Sequence, residues 1–176
     1  MTARRALVLG GTGMLAGAAA TLLADGWDVV LPSRRRPTAT NGHGAHWVKA
    51  DWSDPDTLAK AAADALQGPA DLLVAWVHRE VRHAVLRVVE PLLAPGAPVV
   101  EVHGSASANP LGGCPDQVLP NHSTQQVVLG YVRHAGRTRW LTHDEISAGV
   151  LDAVRRALAG RPSAVHQVGE FRPVHI

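Results

Sequence analysis

Short continuous apolar runs alternate with helical patterns along this chain. Ala6–Leu9 is apolar at every position, as expected of a strand buried on both faces. An alanine- and leucine-rich stretch from about Met14 to Ala24 predicts a helix, and Gly26 stops it. Trp27–Leu31 is a second strand, Arg34 to Gly44 a polar loop and Ala45–Lys49 a short third strand. Ser53-Asp54-Pro55-Asp56 opens a helix that runs to about Leu66 and breaks at Gly68-Pro69. Asp71–Val77 is the fourth strand. Arg79 to Leu93 follows as a helix, with Val81, Val85, Val88, Val89 and Leu92 on one stripe. Pro98 to His103 is the fifth strand. Gly104 to Thr124 has no sustained period and is rich in Gly, Pro, Asn and Ser, which predicts a functional or mobile connection. Gln126 to Arg133 reads as a sixth strand. Thr142 and Glu145 make a capping box for a helix ending near Ala159, and Ala164–Val168 is a last short strand.

This alternation predicts an α/β fold: a single Rossmann-like, doubly wound domain over residues 1–176, with a mostly parallel sheet of six or seven strands. A chain of 176 residues, 46% hydrophobic, buries a full core without disulfide or metal staples. No apolar run is long enough to span a bilayer, and the N-terminus lacks a signal-peptide pattern, so no membrane association is expected. The lone Cys114 fits a reducing, cytoplasmic setting. The formal charge is +2 and the basic residues form no long run, so nucleic acid is not expected as a partner. Ten histidines raise the question of metal, but no His-Glu-x-x-His or cysteine cluster occurs, and His78 and His83 are spaced wrongly for one helix face.

The candidate chemistry starts at Gly10-Gly11-Thr12-Gly13-Met14-Leu15-Ala16-Gly17, directly after the first strand. Gly11-x-Gly13-x-x-Ala16 fits a dinucleotide fingerprint, and Gly10-x-x-Gly13-x-x-Ala16 fits the related reductase spacing. Gly10 and Gly11 permit a tight turn out of the strand, and Gly13 lets the backbone approach a pyrophosphate. Ala16 and Gly17 are expected to let the helix pack close to the sheet. Residues Gly10 to Leu15 would hold the pyrophosphate at the helix start.

The end of the second strand selects the dinucleotide. An acidic residue there would hold a ribose 2′-hydroxyl; this chain has Ser33 followed by Arg34-Arg35-Arg36, and no carboxylate is expected at that corner. A serine hydroxyl and the guanidinium groups of Arg34 and Arg35 suit a 2′-phosphate, so NADP(H) is the predicted cofactor. Asp51 and Trp52 follow the third strand and are placed to flank an adenine. Ala75-Trp76-Val77-His78 follows the fourth and is placed to line the ribose and nicotinamide.

These segments resemble the short-chain dehydrogenase/reductase family, over Ala6 to about Ser107. The resemblance rests on the glycine loop, Ser33-Arg34-Arg35, Asp51, and a serine after strand five in Val102-His103-Gly104-Ser105. It implies that Ser105, with Ser107 as second candidate, polarises a substrate carbonyl. The family's Tyr-x-x-x-Lys pair is absent: the only tyrosine is Tyr131, and the lysines, Lys49 and Lys60, lie far upstream. The proton is then assigned to His78, with Tyr131 or His103 as alternatives. The expected function is NADP(H)-dependent oxidation or reduction of a small organic carbonyl or imine. The alternative is an NADP(H)-binding sensor without catalysis. A homodimer through the helix after strand four is also expected.

Overall fold

The computed structural model describes residues 3–10, 13–36, 44–104 and 116–170. Its strands are β1 (Arg5–Leu9), β2 (Asp28–Ser33), β3 (Ala45–Lys49), β4 (Leu72–Ala75), β5 (Val99–His103), β6 (Thr124–Leu129), β7 (Tyr131–His134), β8 (Arg137–Trp140) and β9 (Ala164–Val168). Seven form one sheet in the order β3-β2-β1-β4-β5-β6-β9, and each of its strand pairs is parallel. This is the doubly wound α/β architecture the strand–helix alternation predicts. No helix among the described residues is long and apolar enough to cross a membrane.

Helices α1 (Ala16–Ala24) and α4 (His143–Leu158) cover one face, and α2 (Pro55–Leu66) and α3 (Arg82–Val89) cover the other. Side chains alternate across β1, so Ala6 and Val8 enter the first core while Leu7 and Leu9 enter the second. Both faces of β1 are thus fully buried. Each buried leucine contributes on the order of 1.5–3 kcal/mol relative to exposure.

Local chemistry sets the helix ends. The Asp54 carboxylate accepts the Thr57 hydroxyl at 2.7 Å and the Thr57 N–H at 3.4 Å, and Pro55 follows in the first turn. The predicted break at Gly68-Pro69 starts one residue early: Gln67 caps α2 in the left-handed region with φ 57°. In α4 the Glu145 N–H donates to Thr142 Oγ1 at 3.2 Å, and the Thr142 N–H donates to Glu145 Oε1 at 2.9 Å. Ile146, Val150, Ala153, Val154 and Ala157 then bury one stripe of that helix.

Several expectations are corrected. The helix predicted over Arg79–Leu93 is only Arg82–Val89, followed by a 3-10 turn at Glu90–Leu92 where Pro91 offers no N–H. The second strand runs on through Pro32 to Ser33. Beyond Val30 it pairs with β3 alone, an edge-like position that accommodates proline. The predicted sixth strand Gln126–Arg133 is two elements. β6 leaves the sheet at Gly130, where a Cβ would collide with the Glu170 backbone, and β7 pairs antiparallel with β8 as a separate hairpin. Ala135 (φ 51°) and Gly136 (φ 76°) form its turn. Finally, Gly17 serves a helix–helix contact rather than a helix–sheet one. A Cβ there would run into Ser147 of α4, while Ala16 is exposed.

Candidate functional site

The strand order reverses between β1 and β4. The chain winds outward from β1 to β2 and β3, then returns to β4 on the other side of β1. The carboxyl ends of the strands at such a point leave a crevice for ligands. A cleft of about 560 Å³ lies there. Gly10, Gly13 and Met14 enter it from β1, Ser33 and Arg34 from β2, Asp51, Trp52 and Ser53 from β3, and Trp76, His78 and Glu80 from β4. None of its described lining residues comes from β5 or later.

The glycine turn is closed by its own backbone. Gly10 adopts φ 101°, and its carbonyl accepts the N–H groups of both Gly13 and Leu15 at 3.2 Å. The Leu15 amide is therefore committed to the turn, and its side chain is fully buried in the core. The N–H groups of Met14 and Gly17 have no backbone partner among the described residues. Among the described residues, a Cβ on Gly13 would meet only the Gly10 carbonyl, at 3.9 Å. Gly11 and Thr12 lie outside the described residues.

At the next strand end Arg34 lines the cleft, while Arg35 and Arg36 do not. The Ser33 hydroxyl donates to the Arg35 carbonyl at 2.7 Å and accepts the Trp47 indole N–H at 2.9 Å. Asp51 corrects the expectation of a corner without a carboxylate, because β3 brings it onto the same wall as Arg34. Asp51 Oδ1 accepts the Ser53 N–H at 2.9 Å and the Ser53 hydroxyl at 2.7 Å. Those bonds hold its carboxyl below the ordinary carboxylate range, and the charge of Arg34 adds in the same direction. Trp52 is half-buried, and its indole N–H is enclosed without a partner among the described residues. Trp76 is half-buried too, packing against the α1/α4 core while lining the cleft. Ala75 and Val77 are buried in the α2/α3 core and do not line the cleft.

The candidate proton donors separate. His78 is exposed and stands in the cleft with Glu80. Tyr131 is half-buried at the start of β7, paired through its backbone to Glu170, and does not line the cleft. Ser105, Ser107 and Cys114 lie outside the described residues. His103 is buried at the end of β5, with Nε2 3.0 Å from Gln126 Oε1 and 3.7 Å from Glu101 Oε1. Burial lowers its pKa, against the opposing pull of Glu101.

His103 belongs to a buried polar chain missed from the sequence. Arg82 on α3 forms a two-armed ion pair with Glu101, with Nη2 2.8 Å from Oε1, and also donates to the Asp116 carbonyl at 2.6 Å. The signal lay in Val99–His103, where Glu101 and His103 alternate on one face while Val100 and Val102 occupy the other.

The residues fit a phosphorylated nucleotide. Gly10 and Gly13 of the glycine turn, the Arg34 guanidinium and Trp52, whose enclosed indole N–H has no partner among the described residues, share the wall of one cleft at the sheet's switch point. The NAD dependent epimerase/dehydratase family model matches residues 6–74, from the first strand into the fourth. No curated protein matches the chain by sequence. Among solved structures, a short-chain dehydrogenase/reductase from Serratia marcescens is similar with TM-score 0.68 at 19% identity, covering 94% of this chain and 95% of that one. An NADH-dependent reductase complexed with NAD gives 0.67 at 16%, covering 96% of each chain. BdcA in complex with NADPH gives 0.64 at 13%, covering 99% of this chain and 98% of that one. The fold is that of the short-chain dehydrogenases/reductases.

Proposed function

We propose that this chain, a divergent short-chain dehydrogenase/reductase as its sequence resemblance implied, is an oxidoreductase that uses NADP(H) on a small organic carbonyl or imine. The observation that carries the proposal is a single cleft holding both the glycine turn and the Arg34 guanidinium. The whole of residues 1–176 then acts as one cofactor-binding domain. A reducing, cytoplasmic setting suits its single cysteine.

When bound, the nicotinamide group donates or accepts a hydride. The chain supplies everything else. Gly10 and Gly13 bring backbone close to the pyrophosphate, and the Met14 amide, without a backbone partner among the described residues, donates to it. Arg34 pairs with the 2′-phosphate through its fork of donors, and the ionised Asp51 beside it accepts from an adenine amino group. Trp52 and Trp76 flank the base and ribose. His78, which lines the same cleft, supplies the exchangeable proton from a ring nitrogen. Ser105 is assigned the substrate oxygen on the strength of the family resemblance, and Tyr131 remains an alternative donor.

Absorbance at the reduced-nicotinamide band, followed across a panel of small aldehydes, ketones and imines, tests the assignment. NADPH oxidation is expected, and His78→Ala should slow it by about 10²–10⁴-fold if His78 is the acid. A second reading has its own support, because the sequence lacks the Tyr-x-x-x-Lys pair. Tight NADPH binding with no turnover on any member of the panel would establish that reading, a non-catalytic NADP(H) sensor. A homodimer through this helix would use the outer face of α3, with His83, Ala84 and Arg87, because Val85, Leu86 and Val89 are buried in the core. Size-exclusion chromatography with light scattering reads that state.

A further inference from the structure

Three consecutive arginines follow β2, yet only Arg34 borders the cleft. The cause lies across the β2–β3 pair. Trp47 sits on β3 in the middle of the Val29↔Ala45 to Ser33↔Lys49 register, half-buried and outside the cleft. Its indole N–H donates to Ser33 Oγ at 2.9 Å, and Ser33 Oγ–H donates to the Arg35 carbonyl at 2.7 Å. A hydroxyl has one proton to give, so the Ser33 proton is already used within the turn. The bond to Arg35 curls the chain back on itself as it leaves the strand. The Arg36 guanidinium lies 5.9 Å from the centre of the Trp47 ring, at the outer reach of a cation–π contact. Trp47 thereby holds one end of the turn by its N–H and attracts the other by its ring face. Arg34 is left directed to the cleft wall, beside Asp51.

We infer that Trp47 is a positioning residue for cofactor choice: through Ser33 it sets which of the three guanidinium groups meets a 2′-phosphate. This rests on the NADP(H) reading above. It also changes the part expected of Ser33 from the sequence, from donor to the phosphate into keystone of the turn that presents Arg34.

Trp47→Phe tests it, because phenylalanine keeps an aromatic face, smaller than the indole, while deleting the N–H. Titrations of wild type and variant with NADPH and with NADH give four dissociation constants. The expected result is a rise of about three- to tenfold for NADPH, the range of one lost hydrogen bond, with NADH unchanged within about twofold. Ser33→Ala removes the same link from the other side, taking away the acceptor while leaving the Trp47 ring in the chain, so it serves even if Trp47→Phe folds poorly. It should lower the NADPH preference by a similar factor. The double variant should lose no more than either single one, since both substitutions cut one chain of contacts. A wild type that prefers NADPH, with Trp47→Phe and Ser33→Ala retaining that preference, overturns the inference while leaving the cofactor assignment standing. Additive losses in the double variant, or equal weakening for both dinucleotides, also overturn it. A wild type without preference between the two overturns the cofactor assignment and the role of Trp47 together.

Discussion

The chain buries different materials up to β4 and beyond it. From β1 to β4 the buried residues are apolar: Leu7, Leu9, Val29, Leu31, Leu72, Leu73 and Val74 among them. Every buried polar or charged residue among the described ones comes later, at Arg82, Glu101, His103, His122, Thr124, Gln125 and Gln126. These later groups are held in hydrogen bonds. Gln125 Nε2 donates to the Pro162 carbonyl at 2.9 Å, and its Oε1 lies 2.6 Å from His166 Nε2. His122 Nδ1 lies 2.7 Å from the Ala97 carbonyl. An apolar frame tolerates many substitutions of similar volume, whereas a buried polar chain fails when one member goes. The first half is thus a conventional scaffold for a nucleotide cleft. The second half derives its order from paired polar groups that each depend on their partner.

Breaking the buried ion pair gives the largest contrast. Arg82→Met strands Glu101 in the core and should cost about 3–5 kcal/mol in chemical denaturation, while the double variant Arg82→Met/Glu101→Leu should recover most of that loss. An equal loss in the double variant would mean that the polar chain is not what distinguishes the second half. Next in size is a change that touches function alone. Arg34→Ala should weaken NADPH binding by about tenfold or more, as one charge-assisted contact of about 1.5–3 kcal/mol is lost, with the melting temperature hardly moved because Arg34 is exposed. A large fall in melting temperature would show that the first half relies on its polar groups too.

The cap of α4 comes next. Thr142→Ala should cost about 1 kcal/mol by removing the acceptor for the Glu145 N–H. The bond from Arg139, with the Thr142 N–H adding, holds Glu145 at about 2 against an ordinary 4.5. Its folded value is depressed, so this contribution is complete above pH 4.5 and is lost as pH falls toward 2. The smallest expected effect is the slope of stability through mildly acidic pH. Burial depresses His103 below 6.5, so the unfolded chain binds its proton first, and stability falls as pH drops below 6.5. His103→Asn should flatten that slope in pH-dependent melting. A remainder of the same sign should persist from His166, whose pKa burial also lowers. An unchanged slope would remove His103 from the account.

The first half was the legible one. Ala6–Leu9 reads as a buried strand because every position is apolar, and the glycines after it leave little choice but a tight turn at a helix start. The Thr142–Glu145 box was equally plain, since both members of a reciprocal pair are visible in sequence. The hairpin was hidden because Ala135-Gly136 is not one of the strong turn pairs, and because Leu129-Gly130-Tyr131 continues the strand-like composition across the break. Asp51 was anticipated beside an adenine but not beside Arg34, since that neighbourhood depends on the β2–β3 pairing. The roles of Trp47 and Arg82 arise from contacts across strands and layers, which no local pattern announces. Ser105, assigned by resemblance, falls outside the described residues.

The central claim is that one cleft at the β1/β4 switch point holds a 2′-phosphorylated dinucleotide through its glycine turn and Arg34. Isothermal calorimetry of the folded protein with NADPH and, separately, NADH measures this directly. Saturable heat from NADPH, with a dissociation constant at least about tenfold below that for NADH, is the predicted result. Absence of heat from either dinucleotide, or equal affinity for the two, would contradict it.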